Sequence, residues 1–164
     1  LAIVVPDEGY LAGVRAACDE FGVVLIFDEV KTGLTAGYAG AAQRLGVKPD
    51  LITLAKSIGG GLPLAAFGGR QEVMQVVVDG RMHHFGTYNG NPLVMAAARA
   101  VDEICTRDAL QGAEDINVRA LDAVDAVIEE FELPAHTVGL GIKGCVTCQN
   151  KAQCLTCIQN IYFL

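Results

Sequence analysis

No basic stripe, no apolar run of membrane-spanning length, no internal repeat and no low-complexity tract occurs in the 164 residues. The 12 lysines and arginines are outnumbered by 19 aspartates and glutamates, and neither sign forms a block. A net charge of −7 spread in this way offers no electrostatic footprint for nucleic acid. No segment approaches the roughly 18–20 apolar residues that cross a bilayer, which excludes a membrane-spanning helix. No signal peptide is visible, and a chain that starts internally could not show one: this one opens on Leu1 and the apolar run AIVV rather than on methionine. That opening reads as the middle of a fold, so the expectation is a piece of a longer protein.

What is present is apolar. Hydrophobic residues make up 52% of the chain and charged ones only 19%, with 19 glycines. This balance suits elements buried on both faces, as in α/β proteins built on a parallel sheet. Of six cysteines, four crowd between Cys145 and Cys157. Cys18 and Cys105 fall in helical patterns and read as small buried apolar residues. A reducing cytoplasm fits this usage better than a secreted disulfide scaffold.

Taken in order, Leu11, Val14, Cys18 and Phe21 recur at helical spacing, and Gly22 fits the position just past a helix end. Residues 23–27 form a continuous apolar run that reads as a fully buried strand, ending on Asp28-Glu29-Val30. A loop over 31–39, a short helix near 40–45 and a second strand over 51–55 follow, the last ending on Lys56 and Gly59-Gly60-Gly61. Helix-separated apolar strands are the pattern of βαβ units. Residues 64–68 read as extended, 70–78 as a helix, and 79–90 as an irregular polar segment holding His83-His84. Adjacent residues of an extended segment point to opposite sides, so this pair with no third ligand nearby does not predict a metal site. Asn91-Pro92 marks a helix start, with Leu93, Ala96, Ala97, Ala100, Val101 and Ile104 as its apolar stripe. A second amphipathic helix is expected over about 113–131, and residues 139–145 resemble the start of a smaller sheet.

Three features suit one kind of site. In open parallel sheets, ligands gather outside the carboxyl ends of strands. Asp28 stands at such an end and suits a positively charged ring nitrogen. Lys56 stands at another, and a lysine flanked by Ala55, Ser57 and Ile58 is expected to be partly desolvated, which favours the neutral, nucleophilic amine. Gly86-Thr87 lies before a capped helix and offers a hydroxyl and a backbone N–H to a phosphate. A carboxylate facing a pyridinium nitrogen and a lysine Schiff base are how proteins hold pyridoxal phosphate. Taken alone, Lys56 reads as a surface lysine before a glycine turn and Thr87 as a loop threonine; Val30, beside Asp28, reads as a core valine.

The stretches LIFDEVKTG, GVKPDLITLAKSIGGGLPLAAFGG and FGTYNGNPLVMAAA, in this order and spacing, resemble the class III pyridoxal-phosphate-dependent aminotransferases, and within them the glutamate-1-semialdehyde 2,1-aminomutase branch. The resemblance runs from about Ile3 to Thr147. It implies part of a fold-type I large domain over 1–110, a mostly parallel sheet with flanking helices. It further implies the start of a small α+β C-terminal domain over 111–147, with an atypical cysteine-containing tail over 148–164. It implies that Lys56 forms the Schiff base, Asp28 partners the pyridine nitrogen, Val30 packs on one ring face, and Thr87 binds the cofactor phosphate of a neighbouring subunit. The implied assembly is a homodimer with shared active sites.

Departures from the family pattern limit the carry-over. Lys31 replaces the glutamine that reaches the cofactor's phenolic oxygen in many members, and GLTAGYAG lacks the Phe-Arg that often follows the motif glycine. The family's phosphate-binding turn and ring-stacking aromatic lie upstream of Leu1. The expected function is a transaminase acting on an amino donor and an oxo or aldehyde acceptor. An aminomutase is the alternative, and the chain by itself is expected to be inactive. Cys145, Cys148, Cys154 and Cys157 give C-x2-C-x5-C-x2-C, whose spacing is tight for zinc. A non-catalytic metal-binding module on these cysteines is the reading from another class; the favoured one is a tail unrelated to the family after Thr147.

Overall fold

The computed structural model describes residues 3–148. They fall into two compact units, one spanning Pro6–Leu110 and one joining the first residues to those from Gln111 onward.

In the first unit, helix α1 (Tyr10–Phe21) half-buries Leu11, Val14, Arg15 and Cys18 and leaves the rest exposed. Gly22 ends it at φ 64°, a left-handed conformation that costs glycine little, and donates its N–H to the Cys18 carbonyl. Strand β1 (Ile26–Asp28) runs parallel to β2 (Leu51–Ala55), with Ile26 opposite Leu51, Phe27 opposite Ile52 and Asp28 opposite Thr53. Strand β3 (Ala65–Gly69) completes the order β1-β2-β3 and is antiparallel to β2. The reversal has a simple cause. Residues 56–64 are shorter than the roughly dozen residues a parallel crossover requires, so the chain folds straight back on itself.

Two expectations about burial are corrected here. Strand β1 begins only at Ile26, and Val23, Val24 and Ile26 are exposed rather than buried. Among the described residues β1 has a strand on one side only, so its outer edge is unpaired by any strand, and only Phe27 of its three residues is half-buried. The apolar stripe of α4 (Pro92–Ile104) is likewise only partly used: Ala97 and Val101 are half-buried, whereas Leu93, Ala96, Ala100 and Ile104 are exposed. Val101 instead meets the glycine turn after β2, where a Cβ on Gly60 would sit 3.0 Å from its Cγ2. The expected cap at the start of α4 is present, with the Asn91 side chain accepting from Leu93 N at 3.0 Å and Val94 N at 3.3 Å. Short helix α2 (Gly40–Arg44) and helix α3 (Gln71–Val78) complete the unit.

The polar centre of this unit is Asp50, 3% exposed. One carboxylate oxygen accepts from Leu25 N at 2.7 Å and from Arg15 Nη1 at 3.0 Å, and the other pairs with Arg70 Nε at 3.0 Å. Its backbone N–H reaches the Leu25 carbonyl at 2.8 Å, and its carbonyl accepts from Arg70 N at 2.9 Å. One residue thus ties α1, the start of β1, the start of β2 and the entry to α3. Gly69 is required at this junction, because a Cβ there would fall 2.0 Å from the Asp50 carbonyl oxygen.

The second unit packs a hairpin on a helix. Helix α5 (Arg107–Glu130) starts earlier than residue 113, because the Thr106 hydroxyl accepts from Ala109 N at 3.2 Å and caps an added turn. The unit boundary falls within α5, after Leu110. Strands β4 (His136–Leu140) and β5 (Lys143–Thr147) pair antiparallel with Gly139 opposite Gly144. Both glycines admit Leu121, whose methyls would lie 2.5 and 2.6 Å from added Cβ atoms. Asn117 Nδ2 donates to the Gly141 carbonyl at 2.9 Å, and Thr137 Oγ1 donates to Asp125 Oδ2 at 2.7 Å.

The Leu25 N–H, before the Arg15 guanidinium, is the chief cause holding the Asp50 carboxyl below the usual carboxylate range. A carboxyl whose pKa is lower folded than unfolded adds stability above its unfolded pKa of about 3.9, and loses it as pH falls through the folded value. Asp50→Asn is therefore expected to destabilise the chain at about pH 7, with a difference from wild type that shrinks on acidification below about pH 4. Urea unfolding of both proteins across that range checks the sign.

Candidate active site

The register of β1 and β2 brings two functional side chains to the same end of the sheet. Asp28 closes β1 opposite Thr53, and Lys56 follows β2 three positions further on, about 10 Å along an extended chain. Asp28 Oδ1 accepts from Val30 N at 3.0 Å and from Thr53 Oγ1 at 3.4 Å. The first bond turns the backbone out of the strand; the second pins the carboxylate to the neighbouring strand. Asp28 is exposed, so its carboxylate is open to a ligand.

Glu29 is its opposite, 3% exposed and fully occupied. Its Oε2 accepts from Ala41 N at 2.9 Å and Oε1 from Ala42 N at 2.7 Å, at the start of α2. The Thr32 hydroxyl also donates to Oε2. The Glu29 backbone continues the sheet, donating to the Thr53 carbonyl at 2.9 Å, and its own carbonyl accepts from Gly33 N at 2.8 Å. The sequence marks Glu29 as part of the motif but gives no sign of these contacts, which join residues twelve and thirteen positions apart.

Lys56 departs from expectation in one respect. It is exposed, so the packing of the described residues does not supply the desolvation that its apolar neighbours in sequence suggested. Its backbone is unusual instead. Lys56 opens a 3-10 turn (Lys56–Gly59) at φ 54°, a left-handed conformation that side chains other than glycine rarely adopt. The three glycines after it let the chain turn tightly, with Gly59 buried and Gly60 at φ 57°.

A cavity of about 640 Å³ lies beside this strand end, lined by Val30, Thr53, Phe67, His84, Tyr88 and Met95 among others. His84 packs edge-on against Phe67, centroids 5.0 Å apart, and its Nε2 is 3.3 Å from Asn89 Nδ2. Gly86 accommodates Asn89, whose Oδ1 would stand 2.6 Å from an added Cβ. Thr87 is exposed in this loop between His84 and Tyr88 but does not line the cavity. The structure thus gathers Asp28, Thr53 and Val30 at one strand end with the 83–90 loop across the cavity. Lys56 lies beyond them, and of the four candidate residues only Val30 lines the cavity. Sequence reasoning does not reach Thr53, whose one signal is that it is the polar residue in LITLA, and it reaches His84 only as a poor metal candidate. A second opening of about 820 Å³, lined by Ala42, Val47, Leu51 and Arg70, holds none of the four candidate residues. Among the described residues no group of three His, Cys, Asp or Glu could hold a metal, and Cys154 and Cys157 lie outside them.

An acid and an amine on adjacent parallel strand ends, beside a cavity, define an α/β domain with strand-end chemistry. Comparison with known proteins gives that class a family. The family model for Aminotransferase class-III matches residues 2–159, so the likeness runs past Thr147. A glutamate-1-semialdehyde 2,1-aminomutase of Nitratidesulfovibrio vulgaris (strain DP4) is 47% identical over 144 residues, covering 87% of this chain and 32% of that protein. An omega-transaminase from Sphaerobacter thermophilus superposes with a TM-score of 0.84 at 33% identity, covering 88% of this chain and 34% of that one. A glutamate-1-semialdehyde-aminomutase variant from Pseudomonas aeruginosa PAO1 in complex with PMP superposes with a TM-score of 0.77 at 30% identity, covering 91% of this chain and 35% of that one. The chain belongs to the class III aminotransferase family. It spans about a third of the length of the curated relatives it matches.

Among the described residues the Lys56 side chain has no hydrogen-bond or ion-pair partner, so replacing it tests chiefly its backbone conformation. A left-handed non-glycine residue costs about 1–2 kcal/mol. Lys56→Gly is expected to be more stable than Lys56→Ala by about 1 kcal/mol, read by urea unfolding of the two variants.

Proposed function

We propose that this chain supplies the lysine and aspartate wall of a pyridoxal-phosphate site for amino-group transfer between an amino donor and an oxo or aldehyde acceptor. The observation that carries the reading is the pair of chemically opposite groups, Asp28 and Lys56, at the ends of two hydrogen-bonded parallel strands. The residues fit the cofactor: an exposed carboxylate, an exposed primary amine, and a cavity of about 640 Å³ bordered by Val30 and Thr53. When bound, the cofactor supplies a carbonyl for the lysine amine and an electron-withdrawing ring.

Asp28 holds a protonated ring nitrogen by charge, and Thr53, through its bond to Oδ1, keeps the carboxylate turned to the sheet end. Val30 covers one face of the ring and excludes water there. Lys56 would hold the cofactor through Nζ, and its amine would move a proton at the substrate's α-carbon. Thr87 donates its hydroxyl to the phosphate held by a second copy of the protein, which makes the working assembly a homodimer. The neighbour from Sphaerobacter thermophilus favours a transaminase that releases an oxo product. The relatives from Nitratidesulfovibrio vulgaris favour an aminomutase that keeps both half-reactions on one carbon skeleton. Release of an oxo product from the whole protein separates the two. The large-domain share of this work falls to residues 1–110, in the cytoplasm, and the chain alone does not turn over.

Incubation of the chain with pyridoxal phosphate, borohydride reduction and peptide mass mapping tests the assignment. The pyridoxyl label is expected on Lys56 and is lost in Lys56→Ala. Label distributed over Lys31 and Lys48 without preference for Lys56 overturns it.

A further inference from the structure

We infer that Glu29 is a positioning residue for this site, holding Asp28 and Val30 in place through a buried carboxylate that no ligand touches. The inference rests on the cofactor reading above for what Asp28 and Val30 do, but its geometry stands apart from that reading. Glu29 lies between the two residues in sequence, and their side chains reach a strand end and a cavity wall. Its own carboxylate turns away into the protein, at 3% exposure.

Three donors converge on it from two segments: Ala41 N at 2.9 Å, Ala42 N at 2.7 Å and the Thr32 hydroxyl. The site is shaped for a carboxylate. Gly40 sits at φ 72°, and an added Cβ would fall 2.7 Å from Oε2 and 2.9 Å from Oε1. Gly33 is also required: its Cβ would lie 2.5 Å from Leu54 Cδ2 and 3.0 Å from the Glu29 carbonyl oxygen. The backbone of Glu29 meanwhile donates to Thr53, the residue that also bonds Asp28. Loop 30–39, the start of α2 and the middle of β2 are therefore fixed relative to one residue, and that residue is flanked by two candidate cofactor contacts.

The chemistry demands an acid rather than an amide. Both oxygens accept, and each faces a backbone N–H of α2, a group that cannot accept. Glutamine would fill the same volume but turn an NH₂ toward one of these donors, leaving a buried mismatch. Glu29→Gln therefore separates positioning by charge and hydrogen bonding from space filling. Glu29→Asp, one methylene shorter, cannot reach both α2 amides at once.

The test uses the complete chain with pyridoxal phosphate as the probe. Amide hydrogen exchange at Ala41 and Ala42, and the ratio of pyridoxyl label on Lys56 to that on Lys48, are read in wild type, Glu29→Gln and Asp28→Asn. Loss of a hydrogen bond to a charged acceptor is expected to raise exchange at an α2 amide about tenfold or more in Glu29→Gln. The Lys56 to Lys48 ratio is expected to fall at least about threefold, in the direction of Asp28→Asn, with circular dichroism unchanged. Faster exchange with an unaltered ratio would reduce Glu29 to a loop anchor and overturn the proposal, as would no change in either. If wild type shows no preference for Lys56, the cofactor reading fails and takes this proposal with it. A preference present in wild type and intact in Glu29→Gln overturns the role of Glu29 alone.

Discussion

The register of two short parallel strands governs everything of functional interest in this chain, and Asp50 sets it. A carboxylate that accepts from Leu25 N–H at the foot of β1 while beginning β2 itself cannot tolerate a slip of one residue. Such a slip would break that bond and the pairing of both arginines, leaving charges without partners at a buried position. With the foot fixed, Asp28 must fall opposite Thr53 at the other end, and Lys56 must emerge just beyond. The site is a consequence of a bond made at the opposite edge of the sheet.

At the functional end a second acid does the complementary work. Glu29 is enclosed by amide donors where Asp50 is enclosed by guanidinium groups and one amide. Between them the exposed Asp28 has little freedom in its backbone. The three acids in the strand neighbourhood divide by burial: Asp50 and Glu29, each 3% exposed, hold the frame, and the exposed Asp28 is left to meet a ligand. Hydrophobic packing contributes less than the composition suggests. Among the described residues only Ala36, Val47 and Leu110 are buried hydrophobics, and Phe85 and Tyr88, beside Thr87, stay 88% and 82% exposed. A hydrogen-bonded frame therefore carries the precision of the site.

The elements with strong local signals were legible from residues alone. Gly22, Asn91-Pro92 and the LITLA run announce a helix end, a helix start and a strand through φ preference, side-chain capping and β-branched or apolar content, and each stands where the pattern placed it. Boundaries that depend on partners were not legible. The apolar run over 23–27 promised a buried strand, but pairing with β2 begins only at Ile26. Helix α5 starts at Arg107 rather than near residue 113, behind the Thr106 cap, which the apolar spacing alone did not reveal. The apolar residues around Lys56 promised burial, yet burial is a property of what packs over a residue, and the lysine is exposed.

The sequence by itself determined the chemical types and their order: an acid at one strand end, an amine before a glycine turn at the next, a threonine in a loop ahead of a capped helix. It determined the family as well, because three motifs in fixed order carry more information than any one residue. Only the tertiary structure decided which acid is free and which is structural. Asp28 and Glu29 are adjacent and chemically alike, and nothing in their local sequence separates them. The difference arises because successive side chains on an extended backbone leave in opposite directions, one toward the open strand end and one toward the amides of α2.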